Sequence, residues 1–256
     1  MALTDTFKPD STCSGVAEGF GGLPEVVDSI EEFLRKTLPQ LLVAISPFRQ
    51  NSPKLRNEKD LCAELGKRLN FAAFAELFSF YPEDPENEST TRTLDYGAYP
   101  RIHLVVGSRL LGATDRLYGL EAKRLPTHTS PINQPERERE YVVGQWNLRT
   151  SKSKRISGGI ERFKEALHGA SLERVGMIAF VQRHHSKYWL AEINRWITDL
   201  ILLPPLKSHQ AHWTDLDLVY EAAPENSGVA ELHSVHERLL SAPIRITHFW
   251  LTPQPI

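Results

Sequence analysis

The residues of this sequence best suited to chemistry are a glutamate and a lysine two positions apart, in the segment YGLEAKR at 118–124. The segment has the short apolar run typical of a β-strand, in which successive side chains point to opposite faces. Glu121 and Lys123 are therefore predicted to share one face, while the apolar residues between them share the other. Asp95 lies 26 residues upstream of Glu121 in another strand-like segment, and that interval fits an intervening hairpin.

Carboxylates on two neighbouring strands can hold a hard divalent cation, because Mg²⁺ prefers oxygen ligands and keeps several of its waters. A metal bound in this way polarises a phosphodiester and lowers the pKa of a bound water. Lys123 could orient that water or stabilise the negative charge that develops at phosphorus. Asp95 and Glu121 are thus candidate metal ligands, and Lys123 is a candidate catalytic residue. The competing interpretation is a surface salt-bridge pattern, because Glu-x-Lys tripeptides are common.

The order of elements around these residues resembles that of the PD-(D/E)XK, or restriction-endonuclease-like, nucleases. Their pattern is an acid-bearing helix, a three-stranded meander with Asp and Glu-x-Lys, and then a helix, a strand and a helix. The matching segments, across roughly residues 57–203, are NEKDLCAELGKRLN, LDYGAY, GLEAKRL, GGIERFKEALHG, VGMIAFVQ and SKYWLAEINRWI. The resemblance implies that Asp95 and Glu121 bind Mg²⁺ or Mn²⁺ and that Lys123 assists the attacking water. Leu94 stands where the name-giving proline would be, at a position that does no chemistry.

The acid that the family pattern places on the first helix has two candidates. Glu58 lies at the start of the predicted helix, directly after Asn57, and Glu64 lies nearly two turns later. Glu58 is preferred, because Leu61 and Leu65 lie at helical spacing from it and point its side of the helix toward the sheet. Either glutamate could instead be a solvated helix carboxylate.

Basic residues before the helix GGIERFKEALHG are candidates for contact with the substrate. Gly158 and Gly159 open this helix, and the free N–H groups and dipole of a helix N-terminus suit a phosphate. The alternative is ordinary capping of the helix by glycine. The candidate substrate-binding residues are Arg149, Lys152, Lys154, Arg155 and Arg162.

The periodicities predict an α/β fold, and the resemblance implies a restriction-endonuclease-like core in which helices flank a central mixed sheet. Three regions are expected: an irregular segment and helix at 1–50, the nuclease-like core at 51–203, and a C-terminal β extension packed on the core at 204–256. Residues 81–90 are expected to be a polar loop. The segments TRTLDYGAY, RIHLVVGSRLL and LYGLEAKRL are then expected to form the meander.

The whole-chain properties limit the class of protein. The formal net charge of −2 offers no general attraction to a polyanion, so nucleic-acid binding would depend on local patches. No run approaches the roughly 20 apolar residues that span a bilayer, so no membrane is expected as a partner. Two cysteines give no disulfide framework, and the N-terminus lacks the pattern of a secretory signal, so a cytoplasmic protein is expected.

The sequence therefore predicts a metal-dependent nuclease. The resemblance implies DNA as the substrate, with RNA left open, and a role in restriction, repair or phage defence. No recognition domain is evident, so a homodimer or a multiprotein complex is expected to supply targeting, an expectation that rests on analogy. The alternative is a catalytically inactive subunit that keeps the nuclease fold for nucleic-acid binding or complex assembly.

Overall fold

The computed structural model describes residues 18–20, 22–45, 58–73, 76–85, 93–126, 139–144, 158–203, 212–239 and 241–252. The α-helices in this part of the chain are α1 (Leu23–Ile45), α2 (Glu58–Ala72), α3 (Gly159–Lys164) and α4 (Ser186–Ile201). The strands are β1 (Glu18–Phe20), β2 (Phe78–Pro85), β3 (Thr93–Pro100), β4 (Leu104–Val106), β5 (Arg109–Leu111), β6 (Tyr118–Leu125), β7 (Arg174–Val181), β8 (Tyr220–Asn226), β9 (Val229–His236) and β10 (Ile244–Leu251). None of the described helices is both long enough and apolar enough to cross a membrane.

Seven of these strands form one mixed sheet in the order β2-β3-β6-β7-β10-β9-β8. The central strands β6, β7 and β10 run parallel, and the outer pairs are antiparallel. Alternate residues of β7 belong to two hydrophobic clusters: Ile178 and Phe180 pack with α1 and α2, whereas Met177 and Ala179 pack with α3 and α4. Helices thus cover both faces of the sheet, which explains why β7 is apolar along its length. The predicted α/β class with a mixed sheet is confirmed.

The meander is present, but its strands differ from the predicted ones. β2, β3 and β6 are antiparallel neighbours, so the first strand is FSFYPEDP, and the prediction of a loop from residue 81 was wrong. β2 was not predicted as a strand because its second half is polar. This strand lies at the sheet edge, where polar residues are tolerated and Tyr81 and Glu83 are exposed. RIHLVVGSRLL was wrongly assigned to the meander. It forms the β4–β5 hairpin, which joins β1 in a separate three-stranded sheet.

The C-terminal strands extend the central sheet. β10 pairs in parallel with β7, and β9 and then β8 follow in antiparallel order. All seven residues of the edge strand β8 are exposed. The strand candidates of the C-terminal region therefore contribute directly to the sheet that carries Glu121 and Lys123.

Helix α1 is fixed to the sheet through the buried carboxylate of Glu31, which is 1% exposed. Tyr118 of β6 and Thr247 of β10 donate hydrogen bonds of 3.1 and 3.0 Å to its Oε1 atom. Arg174 of β7 forms an ion pair with its Oε2 atom. A buried charge is costly unless it is paired and hydrogen-bonded, so these contacts make Glu31 an anchor between α1 and three strands.

Candidate active site

The candidate site lies where β3 separates from β6. The antiparallel pairing of these strands ends at Tyr96 and Leu120, and the next residues are Asp95 on β3 and Glu121 on β6. β6 continues in parallel beside β7 as far as Leu125. Its other edge therefore has no strand partner at Glu121 and beyond, and backbone N–H groups there need other acceptors.

Two carboxylates take the place of the missing strand. Asp95 Oδ2 accepts a hydrogen bond of 2.6 Å from the Ala122 N–H, and Glu58 Oε2 accepts one of 3.2 Å from the Arg124 N–H. Asp95 comes from β3, whereas Glu58 is the first residue of α2. The open edge of β6 thus holds an acid from each of two other elements beside the Glu-x-Lys segment.

Lys123 connects the acids of this site. Its Nζ atom lies 3.0 Å from Glu121 Oε1 and donates a hydrogen bond of 3.1 Å to Glu58 Oε1. Glu121 is 1% exposed and Lys123 is 8% exposed, so neither is the solvent-facing residue that a surface salt bridge would require. Glu64, the other helix candidate, pairs with Arg68 instead. The structure therefore brings Glu58, and not Glu64, to Asp95, Glu121 and Lys123.

Two further residues contact Glu121. Arg162 of α3 donates a hydrogen bond of 3.0 Å to Glu121 Oε1, although the sequence suggested substrate contact for this arginine. His168 Nδ1 lies 3.3 Å from Glu121 Oε2, in a geometry that does not form a hydrogen bond. His168 was not predicted as a site residue, because it follows α3 in an irregular turn with positive φ angles at Ala166 and Gly169 and not in a regular helix.

The predicted phosphate site at Gly158 and Gly159 is contradicted by the structure. α3 is only six residues long, and both glycines are buried. A Cβ atom on Gly158 would lie 2.2 Å from Val143 Cα, and one on Gly159 would lie 2.8 Å from Tyr141 O. The glycines therefore allow close packing against residues 141–144. The remaining predicted substrate-binding residues lie outside the described residues: Arg149, Lys152, Lys154 and Arg155.

The charges of the site affect one another strongly. Burial raises the pKa of Asp95 to about 7, with a further contribution from the charge of Glu121. Burial alone would also raise the pKa of Glu121, but the charges of Lys123, His168 and Arg162 outweigh it and hold that pKa below its ordinary value. For Lys123, Glu121 and Glu58 outweigh burial and raise the pKa. At neutral pH the Glu121–Lys123 pair is therefore ionised, while the raised pKa makes Asp95 a weaker acid than an ordinary aspartate.

The donor atoms of the site suit a hard cation. Glu121 Oε2 is buried and accepts no hydrogen bond, and Asp95 supplies a second carboxylate. Within the described ranges, no three His, Cys, Asp or Glu side chains are grouped so as to hold a metal ion. A cation here would thus take two carboxylates from the protein and its other ligands from water and substrate, a ligand set that Mg²⁺ accepts.

A buried chain of hydrogen bonds supports the segment that carries Arg162 and His168. It begins at Lys164, the last residue of α3, whose Nζ donates to Asp217 Oδ1 at 2.8 Å. It continues through contacts of 2.6 to 2.9 Å that involve, in order, Asp217, His236, Ser234, His248, Tyr141 and Trp250. Tyr141 belongs to the segment against which Gly159 packs. Both ends of α3 are therefore linked to β9 and β10.

The donor and the acceptor of each hydrogen bond in this chain can be assigned. The Asp217 carboxylate can only accept, so a neutral His236 donates from Nδ1 to Asp217 and its Nε2 atom is an acceptor. Trp250 Nε1 can only donate, so the Tyr141 hydroxyl donates to His248 Nδ1, and His248 Nε2–H donates to Ser234. Ser234 in turn donates to His236. Ser234, His236 and Asp217 follow the order of a hydrolase triad, but all three are wholly buried and cannot meet a substrate. The trio is therefore structural.

The chain predicts a specific loss of stability in acid. Burial, together with the charges of His236 and His233, lowers the pKa of His248 well below 6.5 in the folded state. The unfolded chain therefore binds more protons as the pH falls through 6.5, so the contribution of His248 to stability is full above that pH and lost below it. The raised pKa of Asp95 has the opposite effect on the pH dependence of stability, but this effect is the same in the wild type and in a His248 variant.

We expect His248→Gln to lower the free energy of unfolding at pH 7.5 by about 1–3 kcal/mol, because it leaves buried hydrogen-bonding groups unsatisfied. The difference from the wild type should narrow by about 1.4 kcal/mol for each pH unit below 6.5. Urea unfolding at pH 7.5 and 5.5 measures both quantities. A difference that stays constant over this range would contradict the neutral assignment of His248.

Comparison of the chain with known proteins found no relative. No protein-family model, curated protein or solved structure matches the chain. Function therefore has to be inferred from the site itself: Asp95, Glu121, Lys123 and Glu58, at the open edge of β6.

Proposed function

We propose that this protein is a metal-dependent nuclease of the restriction-endonuclease-like group that hydrolyses phosphodiester bonds, with DNA as the substrate. The observation that carries the proposal is the position of Lys123 Nζ between Glu121 and Glu58, with Asp95 bound to the same strand edge. A lysine beside carboxylates that could bind a cation can stabilise the charge that develops during phosphodiester hydrolysis.

The order of elements supports the same proposal. Glu58 begins α2, Asp95 lies on the middle strand of the β2-β3-β6 meander, and Glu121 and Lys123 lie on its last strand. α3, β7 and α4 then follow. This is the helix, meander, helix, strand and helix order of the group that the sequence resembles, although a β4–β5 hairpin is inserted between Asp95 and Glu121.

In the proposed mechanism Asp95 and Glu121 hold a Mg²⁺ or Mn²⁺ ion, which would polarise the phosphodiester and activate a water. Lys123 stabilises the negative charge that develops at phosphorus, and burial strengthens this interaction because the effective dielectric constant is lower than that of water. Arg162 and His168 keep Glu121 ionised and oriented. Glu58 holds Lys123 from the side opposite Glu121.

One observation favours the alternative, an inactive subunit that keeps the fold for nucleic-acid binding or assembly. Glu121 is almost completely buried and already contacts Lys123, Arg162 and His168, as a structural ion cluster would. Two features favour the nuclease. Glu121 Oε2 accepts no hydrogen bond, and the pKa of Asp95 is raised by burial and by the charge of Glu121, so a cation bound between the two carboxylates would stabilise their charged forms.

The proposal is tested with the purified protein and labelled single- and double-stranded DNA. We expect cleavage with Mg²⁺ or Mn²⁺ and none with EDTA, because the activated water depends on the ion. Binding to DNA without cleavage under any of these conditions would support the inactive subunit instead. The same reactions with RNA would show whether the assignment of DNA as the substrate is correct.

A further inference from the structure

The turn between β7 and α4 carries a pair of stacked, solvent-accessible rings. The rings of His184 and Tyr188 lie 4.1 Å apart between centroids and 27° from parallel. His184 is exposed, and Tyr188 is 38% exposed. Both rings contact the buried Trp189 edge-on, at 6.0 and 5.3 Å, so the pair rests on a fixed base. We call His184 and Tyr188 the ring platform.

Capping of α4 explains only part of this arrangement. His185 is the N-cap and accepts a hydrogen bond of 3.1 Å from the Tyr188 N–H, while His184 contacts Trp189 as a hydrophobic staple does. A staple does not require a second ring stacked on the solvent side. His184 also has a φ of +59°, an unfavourable backbone conformation for a residue other than glycine, and such strain concentrates at functional sites.

The surroundings of the ring platform are basic. Arg183 and Lys187 are exposed on either side, and neither forms a salt bridge with another described residue. The carboxylate nearest in the contacts of this turn is Glu225, which accepts a hydrogen bond from Ser186. Exposed aromatic rings between unpaired cations are the features that bind single-stranded nucleic acid, since bases stack on the rings and phosphates face the cations.

The ring platform follows the carboxyl end of β7, the strand that runs beside Glu121 and Lys123 of β6. Lys123 is beside Ala179 in the sheet, and the Gln182 N–H donates a hydrogen bond of 2.8 Å to Leu125 O. Arg183 is four residues beyond Ala179, or about 13 Å along an extended chain. α4, which follows the platform, packs on the face of the sheet that carries Met177 and Ala179.

We propose that the ring platform stacks a base of single-stranded DNA whose backbone continues to Lys123, with Arg183 and Lys187 contacting its phosphates. This subsite rests on the proposed nuclease function, because it assigns the position of the substrate strand relative to that site. It also offers a binding measurement that requires no cleavage.

The experiment measures fluorescence anisotropy of a labelled oligodeoxynucleotide of about 12 nucleotides, in EDTA so that no cleavage occurs. Tyr188→Ala is expected to weaken binding by about 5- to 150-fold, the range for loss of one base–aromatic stack. Tyr188→Phe keeps the ring and should bind as the wild type does. Tyr220→Ala is the matched control for loss of an exposed ring, because Tyr220 is 52% exposed and its ring contacts His233, not a ring of the platform.

An abasic scan makes the test specific for stacking. A single abasic nucleotide is moved along the probe, and at one position the wild type should lose affinity while Tyr188→Ala loses none. If an abasic nucleotide weakens DNA binding equally in both proteins at every position, or if Tyr220→Ala weakens binding as much as Tyr188→Ala does, the proposed base stacking on the ring platform is wrong. If the wild type shows this pattern but never cleaves DNA with Mg²⁺ or Mn²⁺, the nuclease proposal fails and the base-binding subsite stands.

Discussion

Replacement of Glu121 by glutamine is expected to slow DNA cleavage by at least about 10²-fold, the scale on which loss of one group that stabilises developing charge slows an enzyme. Glutamine keeps the size of the side chain, but its amide lacks the charge that would hold a cation with Asp95. Lys123 and Arg162, which both lie 3.0 Å from Glu121 Oε1, would also face a neutral oxygen. Single-turnover cleavage with excess enzyme measures the effect.

The same change is expected to destabilise the fold, contrary to what a solvent-facing ligand would do. Because Glu121 is 1% exposed, its replacement leaves Lys123 without its closest buried counter-charge. Breaking a buried ion pair in this way costs about 3–5 kcal/mol. The activity must therefore be measured well below the melting temperature of the variant, and the loss of activity needs a control of equal instability.

Glu31→Gln supplies that control. Glu31 is also 1% exposed and also pairs with a cation, Arg174, but it belongs to α1 and has no hydrogen bond or ion pair with a site residue. We expect it to lower the melting temperature to a similar extent while cleavage at a permissive temperature stays near the wild-type rate. If the two variants lose activity in proportion to their instability, Glu121 is a structural residue.

Most of the sheet and the large helices could be predicted from periodicity. The apolar segment VGMIAFV predicts a buried strand, and both faces of this strand are covered in the structure. Trp189 and Trp196 follow the helical spacing, which places them in the core. The edge strand β2 could not be predicted in this way, because an edge position tolerates Pro82 and Glu83. The β4–β5 hairpin has the composition of a central strand, and only the pairing of β3 with β6 excludes it from the sheet.

The site could be predicted only as far as local geometry determines it. Strand alternation places Glu121 and Lys123 together, and the 26-residue interval to another strand-like segment adds Asp95. Helical spacing favours Glu58 over Glu64 only weakly, and the contacts of Glu58 with β6, which distinguish the two, depend on tertiary packing. His168 was not predicted, because its approach to Glu121 depends on an irregular turn after α3. The burial of Glu121 was also missed, since it depends on α3 covering that part of the strand.

Replacement of Lys123 by methionine is expected to lower the rate of the chemical step by about 10²- to 10³-fold with little change in DNA affinity. The ammonium group of Lys123 is proposed to stabilise negative charge that develops only in the transition state. An interaction made only in the transition state changes the reaction rate and not the DNA affinity. Methionine keeps an apolar stem of similar length, so the loss is confined to the ammonium group that lies between Glu121 and Glu58.

The control is Arg174→Met, which removes the cation from the other buried glutamate, Glu31, on the opposite side of the sheet. Both variants leave a buried carboxylate less compensated, so both should lose stability, but only Lys123→Met should lose the chemical step. Single-turnover rates at saturating enzyme separate chemistry from binding, and anisotropy titrations in EDTA give the affinity. A cleavage rate in Lys123→Met equal to that of Arg174→Met would remove Lys123 from the catalytic assignment, because the loss of a buried cation alone would then explain its effect.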